Sequence, residues 1–122
     1  MALNKVLLVE DDNDQLHALK VLMSALLPEA NILAVPDGFN ALAMGPSFQP
    51  DLIITDLAMP QADGLTFLHA LLPLLNQRPR MLVLTAYDRM QLQRFGPLPD
   101  EARFLQKPIN LDSLQATLAD WL

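Results

Sequence analysis

Apolar residues along this chain switch between two periods. KVLLV (5–9), NILAV (31–35), DLIIT (51–55), RMLVLT (80–85) and ARFLQ (102–106) are short runs, and four of the five are nearly continuously apolar. Such runs predict parallel strands covered on both faces, since a half-solvated strand would alternate. Between them the apolar positions recur at helical spacing. Leu16, Leu19, Met23, Leu26 and Leu27 form one stripe, Leu65, Leu68, Leu72 and Leu75 another, and Leu111, Leu114 and Leu118 the last. Strand and helix in alternation make a βα repeat. At this length the repeat predicts an α/β fold, an open doubly wound five-stranded parallel sheet with helices on both faces.

The turn residues divide the chain at the same places. PDGFNAL (36–42) predicts a turn and then the second helix, with Gly45-Pro46 as its end. ADGLTFL (62–68) opens the third helix. Pro73 lies inside that stripe, where a missing N–H and a ring clash should end or kink the helix near Leu72. FGPLPDEA (95–102) ends the fourth helix early. No repeat, low-complexity tract or linker interrupts the pattern, so residues 1–122 are read as one domain.

Composition narrows the setting. Charged residues are 18% and hydrophobic ones 52% of the 122 residues, the balance of a globular chain. The net charge of −6 argues against direct binding of nucleic acid or of an anionic membrane surface. With no cysteine there is no disulfide frame, no thiolate chemistry and no Cys-ligated zinc. MALNKVLLVEDD has one lysine and an apolar run of only four before its acids, unlike a signal peptide, and no stretch approaches a membrane span. The expected location is the cytoplasm.

Composition does not explain VLLVEDDND (6–14), where four apolar residues run into Glu10, Asp11, Asp12 and Asp14. Two like charges about 4 Å apart repel by about 4 kcal/mol at an effective dielectric near 20, a sizeable part of a small domain's stability. Something cationic must offset that. In a doubly wound sheet, chemistry collects outside the carboxyl ends of the strands, where strand order reverses. Here those ends carry Glu10, Asp11 and Asp12 on strand one, Asp56 on strand three, Thr85 on strand four and Lys107 on strand five. In the order 2-1-3-4-5, strands one and three are neighbours and their carboxylates meet. Strand five lies two spacings from strand three, roughly 9.6 Å, a gap that a lysine stem can largely cross. The prediction is an acidic pocket with a lysine reaching in. Carboxylates at a strand edge make the hard oxygen site that Mg²⁺ (or Mn²⁺) takes. A carboxylate beside a divalent ion, an ammonium and a hydroxyl can also attack phosphorus and form an aspartyl phosphate, and Asp56 is placed for that.

VLLVEDD, DLIITDLAMPQADG, MLVLTAYD and FLQKP, taken together, resemble the receiver domain of two-component response regulators over essentially the whole chain. Each motif alone is weak. All four in order are specific, with 29 residues from Asp56 to Thr85 and 22 from Thr85 to Lys107. The resemblance, to receivers of the chemotaxis-regulator type with a flavodoxin-like sheet, implies a phosphorylation-dependent signalling switch. Such a switch is not an enzyme beyond its own Mg²⁺-dependent phosphorylation and dephosphorylation. It implies that Asp56 takes a phosphoryl group from a histidine kinase or phosphotransfer protein. Asp11, Asp56 and the Ala58 backbone carbonyl would bind Mg²⁺, with Glu10 acting partly through water. The Thr85 hydroxyl, the Ala86 N–H and Lys107 would each take a phosphoryl oxygen, which is positioning plus charge neutralisation. Thr85 and the ring at Phe104 would form the switch, Phe lacking the hydroxyl of the Tyr often found there. Ala58 and Tyr87 would flank the path of the attacking water and set the lifetime of the phosphoryl group. The Lys107-Pro108 peptide is implied to be cis.

Bland readings stand beside these. Glu10 and Asp11 could form a solvated helix cap, Asp56 a turn, Thr85 an ordinary strand residue and Lys107 a snorkelling surface lysine. His17 and His69 have no partnered ligand spacing and read as structural or exposed. Two other classes compete. A haloacid-dehalogenase-like phosphatase also uses an Asp nucleophile with Mg²⁺, but it wants a second Asp where this chain has Ala58. A flavin binder would need a Ser/Thr/Gly-rich loop after strand one, where EDDND would repel a phosphate.

The output face departs most from the pattern. Gly96, Pro97 and Pro99 replace the end of the fourth helix, so it should stop by Phe95 and give way to a stiff loop to about Glu101. The last helix offers Asp112 and Asp120 but no Arg or Lys for charged cross-pairs between subunits. The expectation is that phosphorylation forms no dimer of the winged-helix-regulator type and that a partner reads the loop beside Phe104. Helix three, LTFLHALLPLL, is apolar on more than one face, which fits equally a weak homodimer or covering partner there and an over-filled core.

Overall fold

A computed structural model describes residues 3–57, 64–88, 90, 99 and 101–122. Its strands are β1 (Lys5–Val9), β2 (Asn31–Val35), β3 (Leu52–Asp56), β4 (Arg80–Thr85) and β5 (Arg103–Gln106). They pair in parallel in the order β2-β1-β3-β4-β5. Among the described residues the helices are α1 (Asn13–Leu26), α2 (Gly38–Phe48), α3 (Gly64–Leu71) and, closing the chain, α4 (Leu111–Leu118).

Period-two alternation sends successive strand residues to opposite faces. Val6, Leu8, Leu52, Ile54, Leu82 and Leu84 pack with Leu19 and Met23 of α1 and Leu114 and Leu118 of α4. Leu7, Val9, Ile53 and Met81 pack on the other face with Ala41 of α2 and Phe67, Leu68 and Leu71 of α3. Both faces being covered is why these strands read as unbroken apolar runs. Each fully buried Leu or Ile contributes about 1.5–3 kcal/mol, so the two layers supply most of the drive to fold.

Caps set the helix starts. Asp12 accepts from the Gln15 N–H at the head of α1, and Asp37 accepts from the Asn40 N–H at the head of α2. Asn110 and Ser113 form a reciprocal capping box at α4. Pro73 acts as expected: α3 ends at Leu71 and a single 3₁₀ turn covers Leu72–Leu74.

Two expectations need correcting. Gly45-Pro46 does not end α2, which runs to Phe48 with Pro46 inside it. Proline removes only its own N–H, and later residues still donate backwards. The helix stops when Gln49 turns left-handed (φ 52°), its N–H donating to the Gly45 carbonyl at 2.8 Å and its side-chain amide to that of Pro46 at 2.6 Å. Gly45 is there for another reason, since a Cβ at this position would lie 2.8 Å from Leu71 Cδ1. Small size lets α2 and α3 approach closely. Leu111 does not join the apolar stripe of α4; it sits exposed in the first turn, where the cap fixes the helix before the sheet is reached. On α3 the extra apolar residues are largely absorbed: Phe67, Leu68 and Leu71 are buried and Leu72 and Leu75 pack at the margin, leaving Leu74 exposed.

At the β4–β5 side of the sheet, the Arg103 guanidinium stacks 4.0 Å from the Trp121 ring centroid and makes a bidentate pair with Asp120, both contacts 2.5 Å. Arg80 lies 5.5 Å from the same ring. Asp120 is held down to a pKa of about 2 by Arg103.

Candidate functional site

The register of the sheet brings the charged residues to one edge. Val9 lies opposite Thr55, so Glu10 follows at the level of Asp56. Asp56 lies opposite Leu84, and Thr85 opposite Gln106. Glu10, Asp56, Thr85 and Lys107 therefore step across the carboxyl ends of β1, β3, β4 and β5. The Lys107 N–H extends the β4–β5 pairing, donating to the Thr85 carbonyl at 2.7 Å. The Lys107-Pro108 peptide is cis, as the resemblance implied.

The lysine reaches the acids. Its Nζ lies 2.8 Å from Asp56 Oδ2 and 3.1 Å from Glu10 Oε2. Glu10 is 2% and Asp56 7% exposed, while Asp11 is exposed. One carboxylate oxygen from each of Glu10, Asp11 and Asp56 lies within 4.8 Å of the others. Three such oxygens, two of them shielded from water, suit a hard divalent cation that keeps several waters of its own.

Electrostatics reflect the crowding. Burial pushes the Glu10 carboxyl up to about 7, the Asp56 charge pushes the same way, and hydrogen bonds from Lys107 and the Asp12 N–H only partly counter it. Burial works against the Lys107 charge, but hydrogen bonds to Asp56 and Glu10 and the attraction of both carboxylates outweigh it, and its pKa is raised. One ammonium facing three carboxylates leaves the pocket short of positive charge.

The remaining expected residues surround this centre. Thr85 is fully buried, and its hydroxyl accepts from the Tyr87 N–H at 2.9 Å. Ala86 is exposed. Phe104 and Tyr87 are half-buried and pack on Leu57 and Val83, on the same side of β4 as Thr85. His17 and His69 are exposed. The expectation placed on Ala58, and those on the helix expected after β4 and on its loop, apart from Met90, Pro99 and Glu101, lie outside the described residues.

Sequence reasoning missed Gln15. Its Oε1 accepts from Lys107 Nζ at 2.5 Å, completing three acceptors around the ammonium. The available signal was the Asp12 cap, because the third residue after a cap sits in the first helical turn, above the strand end it follows. A cavity of about 490 Å³ opens beside this lysine, lined largely by Ala18, Leu19, Leu22, Leu84, Pro108 and Ile109.

Comparison with known proteins agrees with the geometry. The family model for the response regulator receiver domain matches residues 6–119. The chain therefore belongs to the response regulator receiver family of two-component systems. It is 35% identical over 121 residues to the hybrid signal transduction protein dokA of Dictyostelium discoideum, covering 97% of this chain and 7% of that one. It is 29% identical over 87 residues to the transcriptional regulatory protein HptR of Staphylococcus aureus, covering 71% of this chain and 33% of that one. The chain thus spans a third or less of these two curated relatives. Among solved structures, the chemotaxis protein CheY4 of Vibrio cholerae superposes with a TM-score of 0.83 at 26% identity, covering 99% of this chain and 100% of that one. The N-terminal domain of a Wolinella succinogenes protein superposes with a TM-score of 0.76 at 31% identity, covering 97% and 93%. The phosphatase alternative is not supported. No helix among the described residues is long and apolar enough to cross a membrane.

Proposed function

We propose that Asp56 is the phosphoryl acceptor of this receiver and that a histidine kinase or phosphotransfer protein is its donor. The observation that carries the reading is the Lys107 ammonium shared between Asp56 and Glu10, with Asp11 completing the acidic cluster. An Asp56 carboxylate oxygen attacks the phosphorus of a phosphohistidine, the P–N bond breaks, and the leaving imidazole keeps the electron pair and takes up a proton. Asp11, Asp56 and, as the family resemblance implies, the Ala58 carbonyl would hold Mg²⁺ (or Mn²⁺), with Glu10 acting partly through water. Bound there, the ion would neutralise charge on the phosphoryl oxygens. Lys107 pairs with one of the three phosphoryl oxygens, and the Thr85 hydroxyl and Ala86 N–H donate to the other two.

The Thr85 hydroxyl turns from the Tyr87 N–H towards the phosphoryl group, and Phe104 repacks beside it. Tyr87 shields the phosphorus and Ala58 offers no side chain to orient water, so the phosphorylated state decays slowly. The relatives carry the matching segment within longer chains, which supports an output domain or protein downstream of this one. The location we propose is the cytoplasm, where such a donor operates.

Incubation with acetyl phosphate and Mg²⁺, followed by intact-mass measurement, should add one acid-labile phosphoryl group. Asp56→Asn should add none. Full labelling of that variant would remove Asp56 from the role.

A further inference from the structure

We propose that Gln15 is a positioning residue for phosphoryl transfer that acts through Lys107, a role resting on the reading of Asp56 as acceptor. An ammonium has three N–H donors, and here three acceptors meet them: Asp56 Oδ2 at 2.8 Å, Glu10 Oε2 at 3.1 Å and Gln15 Oε1 at 2.5 Å. Two of the three belong to the carboxylate cluster and change their charge environment when a cation or a phosphoryl group arrives. Gln15 is the neutral acceptor outside that cluster, so it holds the lysine without adding a fourth negative charge.

Its own position is fixed by a closed circuit of hydrogen bonds. The Asp12 N–H donates to Glu10 Oε1 at 3.2 Å, and the Gln15 N–H donates to Asp12 Oδ1 at 3.0 Å. Gln15 Oε1 then accepts from Lys107, which donates back to Glu10. The turn after β1, the cap of α1 and the lysine from the far side of the sheet are thereby locked together. When an Asp56 oxygen becomes bonded to phosphorus, Lys107 exchanges one acceptor for a phosphoryl oxygen and keeps Gln15 as its pivot. Without Gln15 the flexible stem has somewhere else to go, because the cavity of about 490 Å³ lies beside it.

The test is a double-mutant cycle on the rate of phosphorylation by acetyl phosphate at saturating Mg²⁺, using Gln15→Met, which keeps the bulk and removes the acceptor. With Lys107 present the rate should fall roughly tenfold, within the range expected for losing one hydrogen bond to a charged group. In the Lys107→Ala background the same substitution should change the rate less than about twofold, because its route of action is gone. Equal losses in both backgrounds, or no loss with Lys107 present, would overturn the proposal. Gln15→Ala repeats the cycle should the Met variant fold poorly. A second readout needs no phosphorylation: the Lys107 ammonium resonance in ¹⁵N-lysine-labelled protein should be sharp in the wild type and broadened by exchange in Gln15→Met. An unchanged resonance counts against the tether, whereas failure of the wild type to take up label counts against Asp56 as acceptor.

Discussion

Removing the charge of Glu10 should abolish a pH dependence of folding stability. Its carboxyl titrates near 7 in the folded chain against 4.5 for an unperturbed Glu, because it is buried and faces Asp56. Between those values the folded chain holds a proton that the unfolded chain has released, so without metal stability falls as pH rises from 4.5 to about 7. At ~1.4 kcal/mol per pH unit the full loss is on the order of 3 kcal/mol. With a urea dependence of roughly 2 kcal/mol per molar, the unfolding midpoint should drop by about 1.5 M between pH 5 and pH 8 in the presence of EDTA. The other perturbed groups act outside this window. Asp120, depressed from 3.8 to about 2, contributes stability present above 3.8 and lost as pH falls towards 2. Lys107, raised from 10.5, contributes stability present below 10.5 and lost above its folded pKa. In Glu10→Gln the midpoints at pH 5 and pH 8 should nearly coincide. The same drop in that variant, or none in the wild type, would refute the assignment of the charge penalty to Glu10.

Three further outcomes are expected. Asp11→Asn should weaken Mg²⁺ binding more than Glu10→Gln does, because the proposed site has Asp11 against the ion and Glu10 acting partly through water; calorimetric titration compares them, and equal losses would contradict that order. Tyr87→Glu should shorten the lifetime of the phosphorylated protein severalfold, on the order of the effect of orienting one water, with decay followed by intact mass. Sedimentation of the phosphorylated form should show no tight dimer through the face of α4 and β5, since Asp120 is already paired with Arg103 of its own chain. A Pro97→Ala, Pro99→Ala double change should leave that state unaltered.

The sheet was legible because burial on both faces leaves little room for polar residues, so NILAV and RMLVLT announce their own ends within a residue. The acidic pocket was legible because the strand order fixes which ends are neighbours, and charged or hydroxyl residues stood at all four of those ends. Gly45-Pro46 misled because a proline forfeits only one backbone bond, and the true end is set three residues later, where Gln49 turns left-handed and its side-chain amide donates to the Pro46 carbonyl. Gln15 was invisible for a related reason. A neutral residue in a helical turn carries no charge pattern, and its partner lies 92 positions away.

The place of β5 at the edge of the sheet has a bearing on how far a signal must travel. Lys107 is bonded to Asp56 by its side chain and to the Thr85 carbonyl by its backbone. Phe104, three residues earlier, lies opposite Val83 on the outermost strand. In the switch proposed for Thr85 and Phe104, a displacement of Thr85 would cross only one strand spacing, ~4.8 Å, before it reached the edge strand. Such a message would need no relay through the core, and the two packed layers beneath could stay rigid while the rim alone changed shape.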